Sequence, residues 1–436
     1  MFDVKKYGAI GDGIAKDTQA IQRAIDECTV QGGGEVLLQD GTFLSGMICL
    51  KDNVTLRVEK DAVLLGSTDL ADYPDNAASF VDAVGGIRGK CLLLIYHAKN
   101  TAVVGEGEIC GRGGAEVFTK GPGQSVRPFL VRVVESEGVT FRQIRLTQAA
   151  AWCLHITRSD EVLVEGVSIH SRVNSNNDGI DVDASKNVTV RGCSIDSGDD
   201  GLCLKTTSDS PCENILMEDC EVTSAWAGFK IGTESVGDFR NVTVRNCKFY
   251  DVEGCAIKIV PVDGGCVDGI TVDNIQLENC TGPIFIATGE RLRAYAGASR
   301  STYSTIQNVS ITNIRGTVID ATRVATYQGK PWGNAKAEFV ISGTPYVKVE
   351  NITLKNLDLD LPGGILECPD PAKVPELGVE YPEFHLFGVL PTKGIYLRHA
   401  KNIRIEDMNL HFRSEDVRPL THLEDVEGEI STRISE

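Results

Sequence analysis

The sequence lacks any long basic run or dense basic stripe. Its formal net charge is −18, from 43 Lys and Arg against 61 Asp and Glu. A chain this acidic repels phosphate backbones, so we expect no nucleic-acid partner. It also lacks an apolar stretch long enough to cross a membrane, and it does not begin with a signal peptide, which would have a charged region followed by an apolar one. We therefore expect no membrane partner and a cytoplasmic location for the sequence as it stands, or a secreted or periplasmic one if a signal peptide was trimmed.

The fourteen cysteines contain no Cys-x-x-Cys pair. Cys193, Cys220 and Cys247 are spaced by 27 residues, which fits a structural repeat better than the spacing of metal ligands. Reduced cysteine packs as a small hydrophobic residue. We therefore expect packed thiols, no metal site and no cofactor.

What the sequence does contain is a repeat with an Asn-Val-Thr-like start. The starts, or their equivalents, are Asn53, Asn100, Gly138, Glu161, Asn187, Asn214, Asn241, Gly269, Asn308, Asn351 and Asn402. From Gly138 to Gly269 the steps are 23, 26, 27, 27 and 28 residues, the size of one coil in a solenoid. Six residues after each start from Gly138 onward lies an apolar residue: Ile144, Val167, Cys193, Cys220, Cys247, Ile275, Ile314, Leu357 and Met408. This column predicts an all-β fold, a right-handed parallel β-helix of about ten coils.

No linker of biased composition divides the 436 residues. Because a solenoid grows by adding coils, we predict a single domain over 1–436, with an N-terminal cap over about 1–50 and catalytic coils over about 138–290. The pattern of residues from Asp17 to Cys28 predicts an amphipathic helix, with Asp17 or Thr18 at its N-cap. We expect this helix to cap the open end of the β-helix.

The middle of the chain repeats one short pattern with polar changes. It reads Asp178-Gly-Ile-Asp181, Asp200-Gly-Leu-Cys203, Ala227-Gly-Phe-Lys230 and Cys255-Ala-Ile-Lys258. If the central apolar residue of each copy points inward, strand alternation turns its last residue outward. The same alternation puts Asn177, Asp199 and Trp226 on the outer face. Neighbouring coils lie ~4.8 Å apart, so we expect Asp178, Asp199 and Asp200 to form one carboxylate cluster.

Such a cluster has two interpretations. Acidic turns on an acidic protein are often solvated and serve local hydrogen bonds. Three carboxylates beside Lys230 and Lys258 instead favour an active site, because like charges this close separate an acid from a base. That is the requirement of glycoside hydrolysis.

The residues resemble a known family at this point. Asn176-Asn177-Asp178-Gly-Ile-Asp181, followed by Gly198-Asp199-Asp200-Gly, resembles the paired signature of the polygalacturonase-like glycoside hydrolases, family 28, which are right-handed parallel β-helices. The resemblance implies that Asp199 is the general acid. It implies that Asp178 and Asp200 hold and deprotonate the attacking water, in an inverting reaction that needs no metal. For such a reaction we expect carboxyl groups roughly 6.5–9.5 Å apart.

Two departures from the family pattern bear on the substrate. The chain has Trp226-Ala227-Gly228 where polygalacturonases have Gly-His-Gly, and Ala256-Ile257-Lys258 where they have Arg-Ile-Lys. The missing arginine removes a bidentate fork for a galacturonate carboxylate, and lysine is only a point charge in its place. We therefore predict an atypical member, closer to exo-acting or rhamnogalacturonan-type enzymes, with an acidic, pectin-derived oligosaccharide as its substrate.

Candidate substrate-binding residues lie around this motif. Asn176, Lys258 and Glu234 are among them, and Lys230 is either a replacement cation or a solvated or ion-paired lysine. Trp152 and His155 resemble the Trp-x-x-His of exo-acting relatives; they either contact sugar or pack within the fold. Extra length over 289–303 and 362–391 is expected to wall the groove, which favours exo action.

Two alternative functions from other classes of protein remain open. A pectate-lyase-like β-helix enzyme would need carboxylates that bind calcium and a basic residue that takes a proton. A non-catalytic sugar-binding β-helix, such as a tail-spike-like adhesin, would bind oligosaccharide without releasing sugar. The sequence leaves the oligomeric state and the linkage cleaved undetermined.

Overall fold

The computed structural model describes residues 1–81, 86–120, 126–293, 302–320 and 338–436, with the backbone of 326–327 and 330–331. The chain forms two compact units, Met1–Asp199 and Asp200–Glu436. The fold is the predicted right-handed parallel β-helix, with many short parallel strands and few helices. The predicted single domain over 1–436 stays a prediction. Within the described ranges, none of the helices has the length and apolar character that a membrane span requires.

In its described residues, the first unit contains strands β1 to β21 and the helices α1 and α2. The strands are β1 Phe2–Asp3, β2 Asp12–Lys16, β3 Gly34–Leu38, β4 Gly41–Ser45, β5 Ile48–Leu50, β6 Val54–Val58, β7 Ala62–Gly66, β8 Phe80–Val81, β9 Ile87–Arg88, β10 Cys91–Tyr96, β11 Lys99–Val104, β12 Glu108–Cys110, β13 Phe129–Val134, β14 Glu137–Arg142, β15 Arg145–Thr147, β16 Leu154–Thr157, β17 Asp160–Glu165, β18 Ser168–Ser171, β19 Ile180–Asp183, β20 Lys186–Arg191 and β21 Ser194–Ser197. The helices are α1 Thr18–Val30 and α2 Glu116–Thr119, with 3₁₀ turns at Val4–Tyr7 and Leu70–Asp72.

These strands stack as three parallel ladders. The first ladder contains β5, β10, β13, β16 and β19, the second β6, β11, β14, β17 and β20, and the third β7, β12, β15, β18 and β21. Strands β8 and β9 pair with each other in a separate antiparallel sheet. One coil of the unit is thus one strand from each ladder.

The second unit contains strands β22 to β36. They are β22 Leu202–Thr206, β23 Cys212–Glu218, β24 Glu221–Ser224, β25 Ala227–Ser235, β26 Phe239–Tyr250, β27 Cys255–Pro261, β28 Cys266–Cys280, β29 Ile284–Ala287, β30 Thr305–Val318, β31 Thr326–Tyr327, β32 Lys330–Pro331, β33 Phe339–Ser342, β34 Val349–Gly363, β35 Ile395–Ser414 and β36 Thr421–Ser435. A short helix, α3, spans Phe384–Phe387, and a 3₁₀ turn spans Pro371–Lys373. One parallel ladder runs through β22, β25, β27, β29, β33 and β35, and another through β23, β26, β28, β30, β34 and β35.

The predicted repeat corresponds to the corners of the coils. Every predicted start, Asn53, Asn100, Gly138, Glu161, Asn187, Asn214, Asn241, Gly269, Asn308, Asn351 and Asn402, has a positive φ. Asparagine and glycine tolerate this left-handed conformation better than other residues, which explains why they recur there. Stacked corner asparagines also bond to one another: Nδ2 of Asn241 donates to Oδ1 of Asn214 at 2.7 Å.

The predicted apolar column is buried throughout. None of its nine residues exceeds 3% exposure, a value reached by Cys247. In the second unit, Cys247 pairs with Ile275, Ile275 with Ile314, Ile314 with Leu357, and Leu357 with Met408. The cysteines of the column therefore act as small core residues, and all fourteen cysteines, each in the described part of the chain, are present as thiols.

The predicted N-terminal helix is α1, and Asp17 occupies its N-cap position. Its Ile21, Ala24, Ile25 and Cys28 are fully buried. The carboxylate of Asp17 accepts hydrogen bonds from the backbone N–H groups of Ile10 and Gly11 at 2.7 and 3.0 Å. Asp17 therefore fixes the preceding loop on the helix.

Candidate active site

The side chains of two carboxylates, Asp178 and Asp199, lie close together in the first unit. Asp178 immediately precedes the Gly179 that leads into β19, and Asp199 follows β21 by two residues. Asp178 is 2% exposed and Asp199 is half-buried, and an oxygen of one lies within 4.8 Å of an oxygen of the other. Two carboxylates this close disfavour ionisation of both at once. The pair therefore meets the electrostatic condition for one acid and one base.

This separation also bears on two predictions. The oxygen-to-oxygen limit of 4.8 Å is shorter than the roughly 6.5–9.5 Å between carboxyl groups that we expected for an inverting pair. Inversion therefore stays a prediction that the family resemblance alone supports. Carboxylate oxygens at this spacing are also close enough to share a hard cation, so the expectation of no metal stays a prediction as well.

Asn177 holds the loop that carries Asp178. Its Nδ2 donates to the Ala149 carbonyl at 2.7 Å, and its Oδ1 accepts from the backbone N–H groups of Val173 and Asn174 at 3.1 and 2.6 Å. The residue is fully buried, and its predicted place on the outer face stays a prediction.

Arg127 is a functional candidate that the sequence reasoning missed. It lies two residues before β13, and its guanidinium donates to the carbonyls of Ala150 and Ser175 and to Oδ1 of Asn176, the last at 2.9 Å. Burial and, to a smaller extent, the nearby Arg88 lower the pKa of Arg127 to about 10, although the Asp178 and Asp199 carboxylates act in the opposite direction. Arg127 is thus a cation close to both acids, and it holds Asn176, a predicted substrate-binding residue.

His155 belongs to an outward-facing row in the first ladder. It pairs with Arg132 on one side and Asp181 on the other, and His155 is fully buried. Its Nδ1 accepts from Nε of Arg132 at 3.3 Å, so the proton on Nε2 points to Asp183, at 3.1 Å. His155 therefore joins a buried hydrogen-bond network, and its predicted contact with sugar stays a prediction.

The first-unit row is covered by residues 76–81 and 86–90. Nη1 of Arg132 donates to the carbonyl of Ala78 at 2.8 Å and to that of Gly89 at 3.3 Å. Trp152 is 6% exposed, and its ring centroid lies 5.2 Å from that of Phe129 and 6.2 Å from that of Phe80. These contacts fit the packing interpretation of Trp152 that the sequence left open.

Asp200, the predicted third carboxylate, begins the second unit. It is 1% exposed, and Oδ2 accepts a hydrogen bond from Nζ of Lys230 at 2.6 Å. The same ammonium donates to the hydroxyl of Tyr381 at 2.8 Å. Burial, the largest single influence, works against the charged ammonium, but Asp200, Tyr381 and Cys203 together outweigh it, so the pKa of Lys230 is raised well above its ordinary value. Lys230 is therefore ion-paired, whereas its predicted role as a substrate cation and the predicted clustering of Asp200 with Asp178 and Asp199 stay predictions.

Cys203, Lys230, Lys258 and Phe285 pair in this order on neighbouring strands of the second unit, and we call them its outward row. Lys258 is thus the direct neighbour of Lys230. It is fully buried, and its ammonium is hydrogen-bonded to Oε1 of Glu383, which is 1% exposed. The ammonium also lies over the indole ring of Trp226, 5.0 Å from the ring centroid. Burial raises the pKa of Glu383, whereas Lys258 acts to lower it.

Tyr381 and Glu383 belong to the predicted wall over 362–391. We call residues 374–390 of this wall the strap; they pack over the outward row of the second unit. Leu377, Phe384, Phe387 and Leu390 of the strap form one buried cluster with Cys255, Val260, Phe285, Ala287, Val340 and Tyr396. The strap therefore explains why outward-facing lysines are buried. Residues 294–301 of the other predicted wall, 289–303, lie outside the described residues.

Glu234 lies in a second charged group of the same unit. Its Oε2 is 3.6 Å from Nζ of Lys205, and its side chain is 12% exposed. Burial acts to raise the pKa of Glu234, but Lys205, Arg291 and Lys230 together leave it below the ordinary value. Glu234 is therefore an ionised carboxylate that is paired with Lys205 within the protein. Its predicted role in substrate binding stays a prediction.

Sequence comparisons match the chain to one family of glycosyl hydrolases and to proteins named as polygalacturonases. The model of glycosyl hydrolases family 28 matches residues 67–358. A probable polygalacturonase from Vitis vinifera is 27% identical over 292 residues, which are 62% of this chain and 60% of that protein. An exo-poly-alpha-D-galacturonosidase from Dickeya chrysanthemi is 25% identical over 345 residues, which are 66% of this chain and 57% of that protein. The chain thus spans less than two thirds of the length of these two relatives.

Solved structures share the fold. An exopolygalacturonase from Thermotoga maritima matches 82% of this chain and 86% of its own, with a TM-score of 0.70 and 23% identity. A family 28 exopolygalacturonase from Yersinia enterocolitica matches 99% of this chain and 78% of its own, with a TM-score of 0.72 and 16% identity. At these identities the likeness is one of fold.

Proposed function

Because this chain belongs to glycosyl hydrolases family 28, we propose that it is a glycoside hydrolase that acts on acidic, pectin-derived oligosaccharides. The observation that carries the proposal is the carboxylate pair of Asp178 and Asp199, one buried and one half-buried, with oxygens within 4.8 Å. Both acids stand at the positions of the family's paired signature. The named activities of the Vitis vinifera and Dickeya chrysanthemi relatives support the same substrate class.

In the proposed reaction, Asp199 donates its proton to the glycosidic oxygen as the bond between that oxygen and the anomeric carbon breaks. A water molecule attacks the anomeric carbon from the opposite face of the ring, and Asp178 and Asp200 hold this water and take its proton. The half-buried position of Asp199 suits a group that must reach the leaving oxygen. The product then has the inverted configuration, and Asp199 ends ionised.

We further propose exo action on rhamnogalacturonan or substituted galacturonan fragments. The strap supports the first part, because it belongs to the predicted wall over 362–391, and a wall that closes one end of a groove favours exo action. The replacement of the family's Arg by Ala256 supports the second part, because the bidentate fork for a galacturonate carboxylate is lost.

The test is product analysis of the purified chain with galacturonan, rhamnogalacturonan and substituted oligosaccharides, followed by mass spectrometry. We expect release of one sugar at a time, no release by Asp199→Asn, and no loss of activity in excess EDTA. Activity lost with EDTA and unsaturated products would point to a lyase. Binding of oligosaccharide by wild type and Asp199→Asn alike, without sugar release by either, would point to a sugar-binding β-helix.

A further inference from the structure

Arg127 is a buried cation whose hydrogen bonds span three successive coils of the first unit. It precedes β13 and is 4% exposed. Its Nη1 donates to the carbonyl of Ala150, before β16, at 2.7 Å and to that of Ser175, before β19, at 2.5 Å. Nη2 donates to Oδ1 of Asn176 at 2.9 Å. One guanidinium therefore ties the loop that carries Asp178 to the two coils before it.

This loop, residues 172–178, is called the Asp178 loop, and it packs against the residue before Asp199. That residue is Gly198, and a Cβ added to it would lie only 3.3 Å from Cβ of Asn177. The two segments that carry the acids are thus in close contact. Movement of the Asp178 loop would therefore change the position of Asp178 relative to Asp199.

The guanidinium of Arg127 is also a charge without a direct ion-pair partner. Its hydrogen-bond acceptors are two carbonyls and an amide oxygen, and within the described ranges none of them is a carboxylate. Burying a cation without a counter-charge is costly. The charged groups that act on it are Arg88, which repels it, and Asp178 and Asp199, which attract it. The acid pair therefore serves as the counter-charge of Arg127.

We propose that Arg127 is a positioning residue for the reaction: it holds the Asp178 loop against the segment that carries Asp199, and it balances the charge of the two acids. Arg127 acts through the acids and does not need to contact the substrate. The other arginine on the Asp178 loop, Arg172, is paired with Asp196. The inference rests on the proposed function and adds to it a residue that belongs to none of the repeated motifs.

The test is the pH profile of kcat/KM, on an oligosaccharide that wild type cleaves, for wild type, Arg127→Met and Arg127→Lys. Loss of the cation favours the protonated form of both acids. In Arg127→Met we therefore expect both limbs of the profile to move to higher pH by about one pH unit, and kcat at the optimum to fall by about tenfold or more. Arg127→Lys keeps the charge but loses the planar fork, so its limbs should stay at the wild-type pH while its kcat still falls.

The matched control is Arg142→Met, which removes a first-unit arginine that is 49% exposed and paired with Glu165. Its profile should equal that of wild type. A lower kcat in Arg127→Met with both limbs at the wild-type pH would overturn the inference, because a purely structural residue lowers activity equally at every pH. If Arg127→Met does not fold, a displaced limb or a wild-type kcat in Arg127→Lys overturns it.

Urea unfolding tests the charge balance without any substrate. Arg127→Met should lower the unfolding midpoint by at most about half as much in an Asp178→Asn/Asp199→Asn background as in wild type, because the background lacks the charges that Arg127 balances. Equal losses in the two backgrounds would overturn the inference. If wild type releases no sugar from any oligosaccharide, the proposed function fails, whereas the unfolding comparison still decides whether Arg127 and the two acids balance one another.

Discussion

Lys230 is the internal counter-charge of Asp200, and Lys230→Met tests how much the second unit depends on it. The two groups are 2.6 Å apart, and their side chains are 3% and 2% exposed. Removing one partner of a buried ion pair leaves an uncompensated charge, which costs about 3–5 kcal/mol. The substitution keeps most of the side-chain volume, so the loss reports the charge rather than a cavity.

The second unit contains a matched control for this prediction. Lys248 and Glu278 are also 2.6 Å apart, but their side chains are 37% and 49% exposed. An exposed pair contributes about 0–1 kcal/mol. Lys248→Met should therefore lower the free energy of unfolding by less than about 1 kcal/mol, whereas Lys230→Met should lower it by several times as much.

The assay is urea unfolding, followed by circular dichroism, of wild type, Lys230→Met, Asp200→Asn and the double variant. Because Asp200→Asn removes the charge left behind, the double variant should lose at least about 2 kcal/mol less than the sum of the single losses. Additive losses, or equal losses in Lys230→Met and Lys248→Met, would refute the reasoning.

Two further predictions concern the stability of the protein. The pKa of Glu234 is lowered from 4.5 in the folded protein, so its ion pairing stabilises the fold at pH 7, and this contribution is lost as the pH falls below about 4.5. In urea unfolding, wild type should be more stable than Glu234→Gln at pH 7, and the difference should shrink at pH 3.5. A difference that is the same at both pH values would contradict this prediction. Gly316 has a φ of +133°, and a Cβ there would lie 1.8 Å from the carbonyl oxygen of Leu277, so Gly316→Ala should cost roughly 1–3 kcal/mol or more. Gly192→Asn, at φ +59° with open space around it, should change the unfolding midpoint little; equal effects of the two would be inconsistent with the backbone argument.

The sequence contained enough information for the coil and its register. A corner that needs positive φ selects Asn or Gly, so the corners are visible as a repeat. A continuous ladder needs an apolar residue at the same place in each coil, as Cys247 and Ile275 show. The inward positions of the central pattern, Ile180, Leu202, Phe229 and Ile257, are all fully buried as alternation predicts.

The sequence did not show what covers the outward row. Tyr381 and Glu383 lie more than a hundred residues from the lysines they contact, in an insertion without the repeat's period. Nothing local marks such a contact, so Lys258 was expected to be available to substrate. His155 is covered for a similar reason, by the segment that includes Ala78.

Arg127 shows a different limit. It precedes the first strand of its coil and belongs to none of the repeated motifs, so a single arginine there carries no pattern. Only its bonds to the Ala150 carbonyl and Asn176 place it beside the acidic pair. The signal in the sequence is its position just before a strand of the first ladder, the same type of position that Asp178 occupies.

The central claim is that the acids Asp178 and Asp199 carry an inverting hydrolysis. The most direct measurement is the anomeric configuration of the first product, followed by proton NMR from the start of the reaction, with Asp199→Asn alongside. The account predicts that the inverted anomer appears first, that mutarotation follows, and that Asp199→Asn yields no product. A first product of retained configuration, or the same product from Asp199→Asn, would contradict it.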